Sequence, residues 1–377
     1  MDVQTLLTHW WLWVFVFFCL VTTIQLAYYL YFFIRLAYFK SKDRFQSQTQ
    51  PVSVIVCARD EAHNLENNLP AILSQSYTTT HEVVLVNDNS FDDTKFFTEE
   101  LAKIFKKLNA INLTQEAKHI PGKKYPLSIG IKSSKYEVML LTDADCMPSS
   151  QLWIQKMQDA YHDGIEIVLG YGAYKKEKGL LNKLIRFETF HTALQYLSYA
   201  LAGQPYMGVG RNLSYRKALF YRVKGFSSIN HIPGGDDDMF INKVAGKHNT
   251  AIVVDNDAFT ISEPPKTFNQ WWRQKTRHYS TARFYKKSHQ VLLGLYAFTH
   301  FMFYPLFILS IIFFDWRYAL AVFGLRLIIQ GIVWYKTMNR LNEKDLFPIF
   351  WLLDLWQFFY YIIFSFALVK KPRSTWK

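Results

Sequence analysis

The sequence predicts an α/β domain with a mostly parallel sheet, placed between hydrophobic segments at both ends of the chain. Apolar, β-branched runs of strand length alternate with helical patterns over the middle of the sequence. Acidic and amide residues follow the ends of these runs. Stretches without Asp, Glu, Lys or Arg lie near both termini, and each is long enough to cross a bilayer at a rise of about 1.5 Å per residue.

Hydrophobic segments divide the 377-residue chain into three parts. Hydrophobic residues make up 50% of the chain and aromatic residues 18%, and the excess lies in four segments: 10–34, 291–314, 318–335 with Arg326, and 346–369 with Asp354. The first segment lacks a basic region before it and a small-residue cleavage site, so we interpret it as a retained anchor. We therefore predict an anchor at 1–45, a globular domain at 46–290, and a membrane region with two or three hydrophobic segments at 291–377.

The basic residues around the first segment predict its orientation. Only Asp2 carries a charge before it, whereas Lys40, Lys42 and Arg44 follow it directly. The positive-inside rule then places the globular domain in the cytoplasm, with the protein in the cell membrane. The basic tail at 370–373 conflicts with four complete spans, so we expect one C-terminal segment to be re-entrant or interfacial, and 318–335 fits best.

Net charge and cysteine content exclude some classes of protein. A net charge of +13 suits a domain that lies on an anionic membrane surface and handles phosphorylated substrates. The basic residues are scattered and form no recognition motif, so we expect no nucleic-acid partner. Cys19, Cys57 and Cys146 are too few and too dispersed for a disulfide framework or a zinc site.

Acids at the ends of predicted strands indicate a ligand site. The run 52–57 ends in Ala58-Arg-Asp-Glu61, the run 82–86 ends in Asn87-Asp-Asn-Ser90, and the run 138–142 ends in Asp143-Ala-Asp145. Open α/β sheets bind ligands at the carboxyl ends of their strands, so this order predicts a doubly wound nucleotide-binding half. No G-x-G-x-x-G follows the first run and the chain has no P-loop sequence, which argues against a dinucleotide cofactor.

Asp143 and Asp145 are the strongest candidates for metal ligands. Residues i and i+2 of a strand share a face, so a slight bend brings both carboxylates toward one hard cation. Mg²⁺ or Mn²⁺ held by one or two carboxylates completes its shell with water and substrate phosphate. Paired acids are also common in solvated turns, but the apolar strand before this pair favours a site.

These motifs together resemble the family 2 glycosyltransferases, enzymes with a GT-A fold, in which a mixed, mostly parallel sheet flanked by helices binds a nucleotide-diphospho-sugar. The resemblance covers residues 50–285, and the flanking segments are similar to those of the membrane-bound branch. It implies donor-binding roles for residues of the three strand-end motifs and of the segment "GKKYPLSIGI" at 122–131: Glu61, Asp88, Lys123 or Lys124, and Asp143, with Asp145 and Asp143 on the metal.

The second half of the resemblance implies the catalytic and acceptor side. The segment "GVGRNLSYRK" is similar to the acceptor-side strand, with Gly210 and Asn212 near the sugar. "GGDDDMF" resembles the acid cluster, and we favour Asp237 over Asp236 as the base. The Q-x-x-R element implies donor-binding roles for Gln274 and Arg277, but His278 stands where processive polymerases have Trp, which argues against polymer extrusion.

The chemistry of sugar transfer explains these residue types. Negative charge develops on the leaving diphosphate, which a divalent ion on Asp145 and the cation of Arg277 would stabilise. The attacking hydroxyl of a lipid-linked or polysaccharide acceptor must lose a proton, so a carboxylate is needed on the opposite face of the sugar. Direct displacement then inverts the anomeric configuration. Hence we predict an inverting glycosyltransferase that works at the inner face of the membrane, in contact with membrane lipids.

Two other functions stay open on the sequence alone. A sugar nucleotidyltransferase shares the fold and the metal acids, but it usually carries a glycine-rich loop after the first strand, and this chain has none there. A non-catalytic membrane scaffold is the second alternative. The acid triplet 236–238 also fits a solvated turn or a helix N-cap, and Arg277 also fits a cation at the membrane surface.

Overall fold

The computed structural model describes residues 9–40, 50–115, 120–162 and 164–369, with side chains up to Phe366. These residues form two compact units. One contains the stretches up to Phe39 and from Lys286 to Phe366, and the other contains the stretch Lys40–Tyr285. The acidic Asp2, the basic Lys42 and Arg44, and the tail at 370–373, on which the orientation was argued, lie outside the described residues.

A seven-stranded sheet forms the centre of the unit Lys40–Tyr285, in the order β3-β2-β1-β4-β8-β6-β9. Strands β1 to β4 pair in parallel, β8 is antiparallel to both β4 and β6, and β9 is parallel to β6. A second sheet has the order β5-β10-β7. The strands are β1 Val52–Ala58, β2 His81–Asp88, β3 Leu108–Leu113, β4 Val138–Asp143, β5 Cys146–Pro148, β6 Ile167–Leu169, β7 Gly172–Tyr174, β8 Leu213–Arg216, β9 Thr250–Ile252 and β10 Thr260–Ser262.

Twelve α-helices are labelled α1 to α12 in chain order, and the short helical stretch Ile34–Ala37 is counted with the first of them. The first helix of the chain, α1 Trp10–Ala27, belongs to the other unit, and the helices of the sheet unit are α2 Ala62–Leu73, α3 Thr94–Ile104, α4 Lys124–Ser133, α5 Trp153–Gln158, α6 Leu180–Leu201, α7 Lys217–Arg222, α8 Asp238–Val244 and α9 Phe268–Ala282. The hydrophobic unit continues with α10 Lys287–Phe313, α11 Trp316–Arg340 and α12 Phe350–Val369.

The predicted strands are present with slightly wider bounds. Every residue of β1 and β2 is buried, as expected for central strands covered on both faces. The lysine-rich pattern at 99–107 predicts a helix there, and the observed helix begins earlier and runs from Thr94 to Ile104. Asp92 accepts a hydrogen bond from the Thr94 amide (3.0 Å) and fixes the earlier start, while a turn from Phe105 to Leu108 ends the helix before the next strand.

The hydrophobic unit contains four helices that are long and apolar enough to cross a membrane: Trp10–Ala37, Lys287–Phe313, Trp316–Arg340 and Lys344–Phe366. The first includes a π-helical stretch at Tyr28–Phe33. The segment 318–335 lies within one continuous helix of 25 residues, which does not fit a re-entrant shape, and an interfacial position stays a prediction. Its internal charge, Arg326, has a partner on another helix, which removes the reason to keep it near water.

Polar side chains from all four helices meet inside this unit and form what we call the buried polar network. Arg326 donates to both carboxylate oxygens of Asp354, at 2.6 and 3.1 Å, and neither side chain is more than 1% exposed. Further members bond to this ion pair or to each other: Gln25 on α1, His300 and Tyr304 on α10, and Gln330 on α11. Since each helix supplies at least one member, the network fixes how the four helices pack.

Breaking the ion pair of this network should destabilise the hydrophobic unit strongly. We expect Asp354→Asn to lower the free energy of unfolding by about 3–5 kcal/mol, because it leaves the Arg326 charge buried and unpaired. The matched control is Asp315→Asn, which removes the partner of Arg317, an arginine that is 71% exposed. The measurement is thermal unfolding of the full chain in detergent, and equal melting temperatures for both variants would contradict the assignment.

Candidate active site

The carboxyl edge of β1, β2 and β4 brings the first predicted donor residues to one side of the sheet. Asp88 ends β2, is buried, and lies 3.8 Å from the Arg59 guanidinium of the turn after β1. Glu61 precedes α2 and accepts a hydrogen bond from Asn64 at 2.5 Å. Glu61 also lies close enough to Asp145 to raise the pKa of that carboxyl. The edge is therefore a concentration of carboxylates, as the sequence predicted.

Asp143 and Asp145 differ in how their charges are balanced. Burial acts to raise the pKa of Asp143, but the adjacent Lys123 ammonium, which donates a hydrogen bond to it, outweighs burial and holds the pKa below its ordinary value. Burial and the neighbouring Asp143 raise the pKa of Asp145 to about 6. Among the described residues, Asp145 accepts a single hydrogen bond, a 3.5 Å contact from Cys146. The oxygens of Asp145 are therefore able to bind a cation.

The side chains at this position fit a hard divalent metal as ligands. One atom each from Asp143, Asp145 and Cys146 lie within 4.8 Å of one another. Burial and the nearby Asp145 raise the pKa of the Cys146 thiol well above its ordinary value, and its sulfur lies 3.0 Å from the Ser262 hydroxyl. A protonated thiol is a poor ligand, so the carboxylates are the groups that would hold Mg²⁺ or Mn²⁺.

The two candidate lysines have different environments. Lys123 precedes α4, and its ammonium contacts Asp143 and lies 3.6 Å from Asp236, so it joins the strand-end acids to the acid cluster. Lys124 is fully buried and donates to the backbone carbonyls of Ile232 and Pro121. Of the two candidates, Lys123 is therefore the one whose ammonium lies among the site acids, whereas the amine of Lys124 is bonded inside the fold.

The three acids at 236–238 also separate by environment. Asp236 is buried beside Lys123, and Asp238 is buried and accepts hydrogen bonds from Thr281 and from Tyr285 (2.6 Å). Asp237 is the one partly exposed member. It caps α8 by accepting from the Asp238 amide, and its other oxygen accepts from the Gly210 amide, both at 2.7 Å.

The electrostatics of this cluster suit a base. Burial, together with the carboxylates of Asp236 and Asp238, raises the pKa of Asp237 to about 7. A carboxyl with this pKa is ionised in a large fraction of molecules near neutral pH and holds a proton well. The helix N-cap that the sequence left as an alternative is present too, because the same side chain caps α8.

Gly210 and Asn212 do not have the same role. The Gly210 amide orients Asp237, and a Cβ at this glycine would lie 3.3 Å from both Asp237 Oδ2 and Lys123 Nζ. The Asn212 side chain is fully buried and bonds to Trp153, to the Tyr171 carbonyl and to the Ala258 carbonyl. Asn212 thus cross-links the core behind Gly210, and its expected position near the sugar stays a prediction.

Helix α9 contributes the last two predicted residues. Gln274 accepts a hydrogen bond from the Tyr174 hydroxyl at 3.2 Å, which ties the helix to β7. Arg277 lies near enough to Asp143 to lower the pKa of that carboxyl. At the end of α9, Thr281 bonds to Asp238. One helix therefore bonds to the acid cluster and carries a cation close enough to influence the metal-binding side of the site.

Comparison with known proteins identifies the family. The Glycosyl transferase family 2 profile matches residues 53–224, and the Glycosyl transferase family group 2 profile matches residues 151–369, more than half of the chain. The chain belongs to glycosyltransferase family 2. The resemblance seen in the sequence is confirmed, and the nucleotidyltransferase and scaffold alternatives are not supported by it.

Relatives of this family 2 glycosyltransferase span bacteria and archaea. The probable glycosyltransferase YdaM of Bacillus subtilis is 25% identical over 276 residues, covering 67% of this chain and 63% of the relative. An uncharacterized glycosyltransferase of Haemophilus influenzae is 28% identical over 135 residues, covering 34% of this chain and 40% of the relative. The matches thus span less than two thirds of these relatives.

A solved structure with the same fold is the mannosyltransferase PcManGT from Pyrobaculum calidifontis, determined in complex with GDP-Man and Mn²⁺. It is 17% identical, has a TM-score of 0.54, and the likeness covers 90% of this chain and 99% of that one. At this identity the likeness shows the fold, and the predicted GT-A fold is confirmed.

Sequence reasoning missed one residue of this glycosyltransferase that lies among the site acids. Arg211 is near Asp145 and Asp143, and its guanidinium lies 4.4 Å from the centre of the Tyr174 ring. Its position between Gly210 and Asn212, in a motif already singled out, was the available signal. It also missed Thr281 and Tyr285, which hold Asp238 and carry no motif of their own.

Proposed function

We propose that this glycosyltransferase is metal-dependent and inverting, and that it moves a sugar from a nucleotide-diphospho-sugar to a hydroxyl of a lipid-linked or polysaccharide acceptor at the inner face of the cell membrane. The observation that carries the proposal is Asp237, a partly exposed carboxyl with a pKa raised to about 7 and held in place by the Gly210 amide. The acids at the carboxyl edge of the sheet would bind the sugar donor.

Donor binding is assigned to the strand-end residues. Asp88 and Glu61 lie where the nucleoside would meet the ends of β2 and β1, and Asp143 with Asp145 would hold the divalent metal beside the diphosphate. The complex of PcManGT with GDP-Man and Mn²⁺ supports a nucleotide sugar and a metal for this fold. When bound, the metal supplies positive charge to the leaving diphosphate.

Proton transfer is assigned to Asp237. The acceptor hydroxyl gives its proton to this carboxylate as its oxygen attacks the anomeric carbon and the bond to the diphosphate breaks. Lys123 and Arg277 are placed to offset the growing negative charge on the leaving group, together with Gln274 as a polar contact. A single displacement with the base on the opposite face of the sugar from the diphosphate inverts the anomeric configuration.

A membrane acceptor is favoured by what surrounds the catalytic unit in sequence. Hydrophobic helices precede and follow it, and the stretch Arg283-Phe-Tyr-Lys-Lys287 joins α9 to the helix α10. Phe284 and the basic residues of this stretch are exposed and suit a lipid headgroup layer, whereas Tyr285 is buried and bonds to Asp238. Lys40 follows the first hydrophobic helix, and by the positive-inside rule a basic residue at this end supports a catalytic unit in the cytoplasm.

One assay tests the donor, the stereochemistry and the acceptor together. Full-length protein in bilayer nanodiscs is incubated with Mn²⁺, labelled nucleotide sugars, a polyprenyl phosphate and a soluble oligosaccharide. We expect release of the free nucleoside diphosphate, label in the lipid fraction, and an inverted anomeric proton signal by NMR. Release of pyrophosphate would indicate a nucleotidyltransferase, retention would exclude single displacement, and label confined to the oligosaccharide would contradict the lipid acceptor.

A further inference from the structure

The backbone around Arg211 is fixed from both sides. On one side the Gly210 amide bonds to the Asp237 carboxylate, and on the other the Asn212 side chain bonds to three partners in the core. Arg211 is therefore held between the base and the interior of the sheet. Its own side chain is only partly buried.

The Arg211 side chain is directed by packing rather than by an acid. Its guanidinium stacks on Tyr174, whose hydroxyl is bonded to Gln274, and one nitrogen lies 3.4 Å from the Ser262 hydroxyl. Strand β7 leaves room for it, because a Cβ at Gly172 would lie 3.1 Å from Arg211 Cβ and 3.3 Å from its Nε. Within the described residues, no carboxylate lies within 4.0 Å of the guanidinium.

The nearest acids leave this cation available. Asp143 is paired with Lys123, and Asp145 is near enough to interact with Arg211 electrostatically without forming an ion pair within 4.0 Å. Arginine presents five N–H groups in a planar fork that matches phosphate oxygens two at a time. A stacked guanidinium with mostly unused donors, beside a carboxylate suited to a metal, has the features of a phosphate contact.

We infer that Arg211 binds the diphosphate of the sugar donor, beside the position where Asp145 would hold a divalent metal, and so adds a second arginine, after Arg277, to the leaving-group side of the site. This assignment rests on the proposed function. Arg211 is fixed next to Gly210, so the diphosphate contact and the orientation of the Asp237 base depend on one short backbone segment. Tyr174 orients Arg211 and links it to Gln274 on α9.

Nucleotide titrations of the full-length protein in detergent with Mn²⁺ test the assignment. The probes are ADP, CDP, GDP, UDP and dTDP, each compared with its nucleoside. We expect Arg211→Ala to weaken binding of the preferred diphosphate about 10- to 100-fold and to leave nucleoside binding unchanged. Arg211→Lys keeps the charge but loses the fork, and should weaken binding less. The matched control is Arg216→Ala, which removes a cation that stacks on Tyr161 and bonds to the Ile165 carbonyl, away from the site acids.

The outcomes separate the possible failures. If Arg211→Ala binds the diphosphate as tightly as wild type and binds Mn²⁺ more tightly, Arg211 only offsets the charge of Asp145. This result would overturn the assignment of Arg211 and leave the proposed function standing. If Arg211→Ala does not fold, the Arg211→Lys variant is used instead. Wild-type affinity of this variant for the diphosphate would overturn the assignment. If wild type binds none of the five diphosphates, the proposed function fails and the assignment fails with it.

Discussion

Asp237→Asn should lower kcat for sugar transfer by about 10²- to 10⁴-fold, because the acceptor hydroxyl then has no carboxylate to take its proton. Donor affinity should stay near wild type, since the strand-end acids are unchanged. Asparagine keeps one side-chain oxygen for the Gly210 or Asp238 amide, so we expect a loss of stability of only about 1 kcal/mol. The measurement is steady-state transfer together with donor titration, so that turnover and binding are read separately.

The pH dependence of the wild-type enzyme gives an independent readout of the same residue. The base works when deprotonated, and burial with the neighbouring acids raises the pKa of Asp237 to about 7. Activity should therefore rise as the pH increases through about 7 and level off above it. Asp236→Asn removes one of the charges that raise this pKa, so its rising limb should move to lower pH while turnover persists. If Asp236→Asn abolishes turnover and Asp237→Asn does not, the base is Asp236.

Asp145→Asn should weaken Mn²⁺-dependent donor binding at least about 100-fold, which corresponds to roughly 3 kcal/mol. The reason is that Asp145 is the strand-end acid with unused capacity, whereas Asp143 is already paired with Lys123. In EDTA the melting temperature of the variant should not fall below that of wild type, because the lost carboxylate accepts only one long hydrogen bond and faces another acid.

The control for the metal prediction is Asp159→Asn. Asp159 accepts a hydrogen bond from Gln155 at 2.7 Å within the region of α5, and its replacement removes the same charge without touching the strand-end acids. Donor and Mn²⁺ affinity should be unchanged in this variant. Donor binding by wild-type protein that is the same in Mn²⁺ and in EDTA would contradict the role of Asp145.

Local patterns were sufficient for the sheet edge and for the acids on it. The continuous apolar runs of β1, β2 and β4 could be read as buried strands, and parallel pairing then places Asp88, Asp143 and Asp145 at one edge. The acid cluster was found for the same reason, because three consecutive acids are visible without knowing the fold. The preference for Asp237 among them rested on the family resemblance, because a local pattern does not show which of the three acids stays open to solvent.

Contacts between distant segments determine side-chain environments that local sequence patterns do not show. Two adjacent lysines look alike, yet Lys124 turns toward the Ile232 carbonyl, a residue more than a hundred positions away. Asn212 looks like a polar site residue, but Trp153 and Ala258 use its amide inside the core. The same limit applies to 318–335, where the presence of Arg326 argued against a full-length helix until Asp354 supplied its partner.

The buried polar network has a consequence for how this protein can be altered. Every one of the four hydrophobic helices supplies a group to the network around a single ion pair, so a foreign helix that lacks its member would leave a buried polar group of the other helices without its partner. The unit of exchange is therefore the whole set of four helices, and a transplanted single helix that lacks its polar member should give a chain that folds poorly.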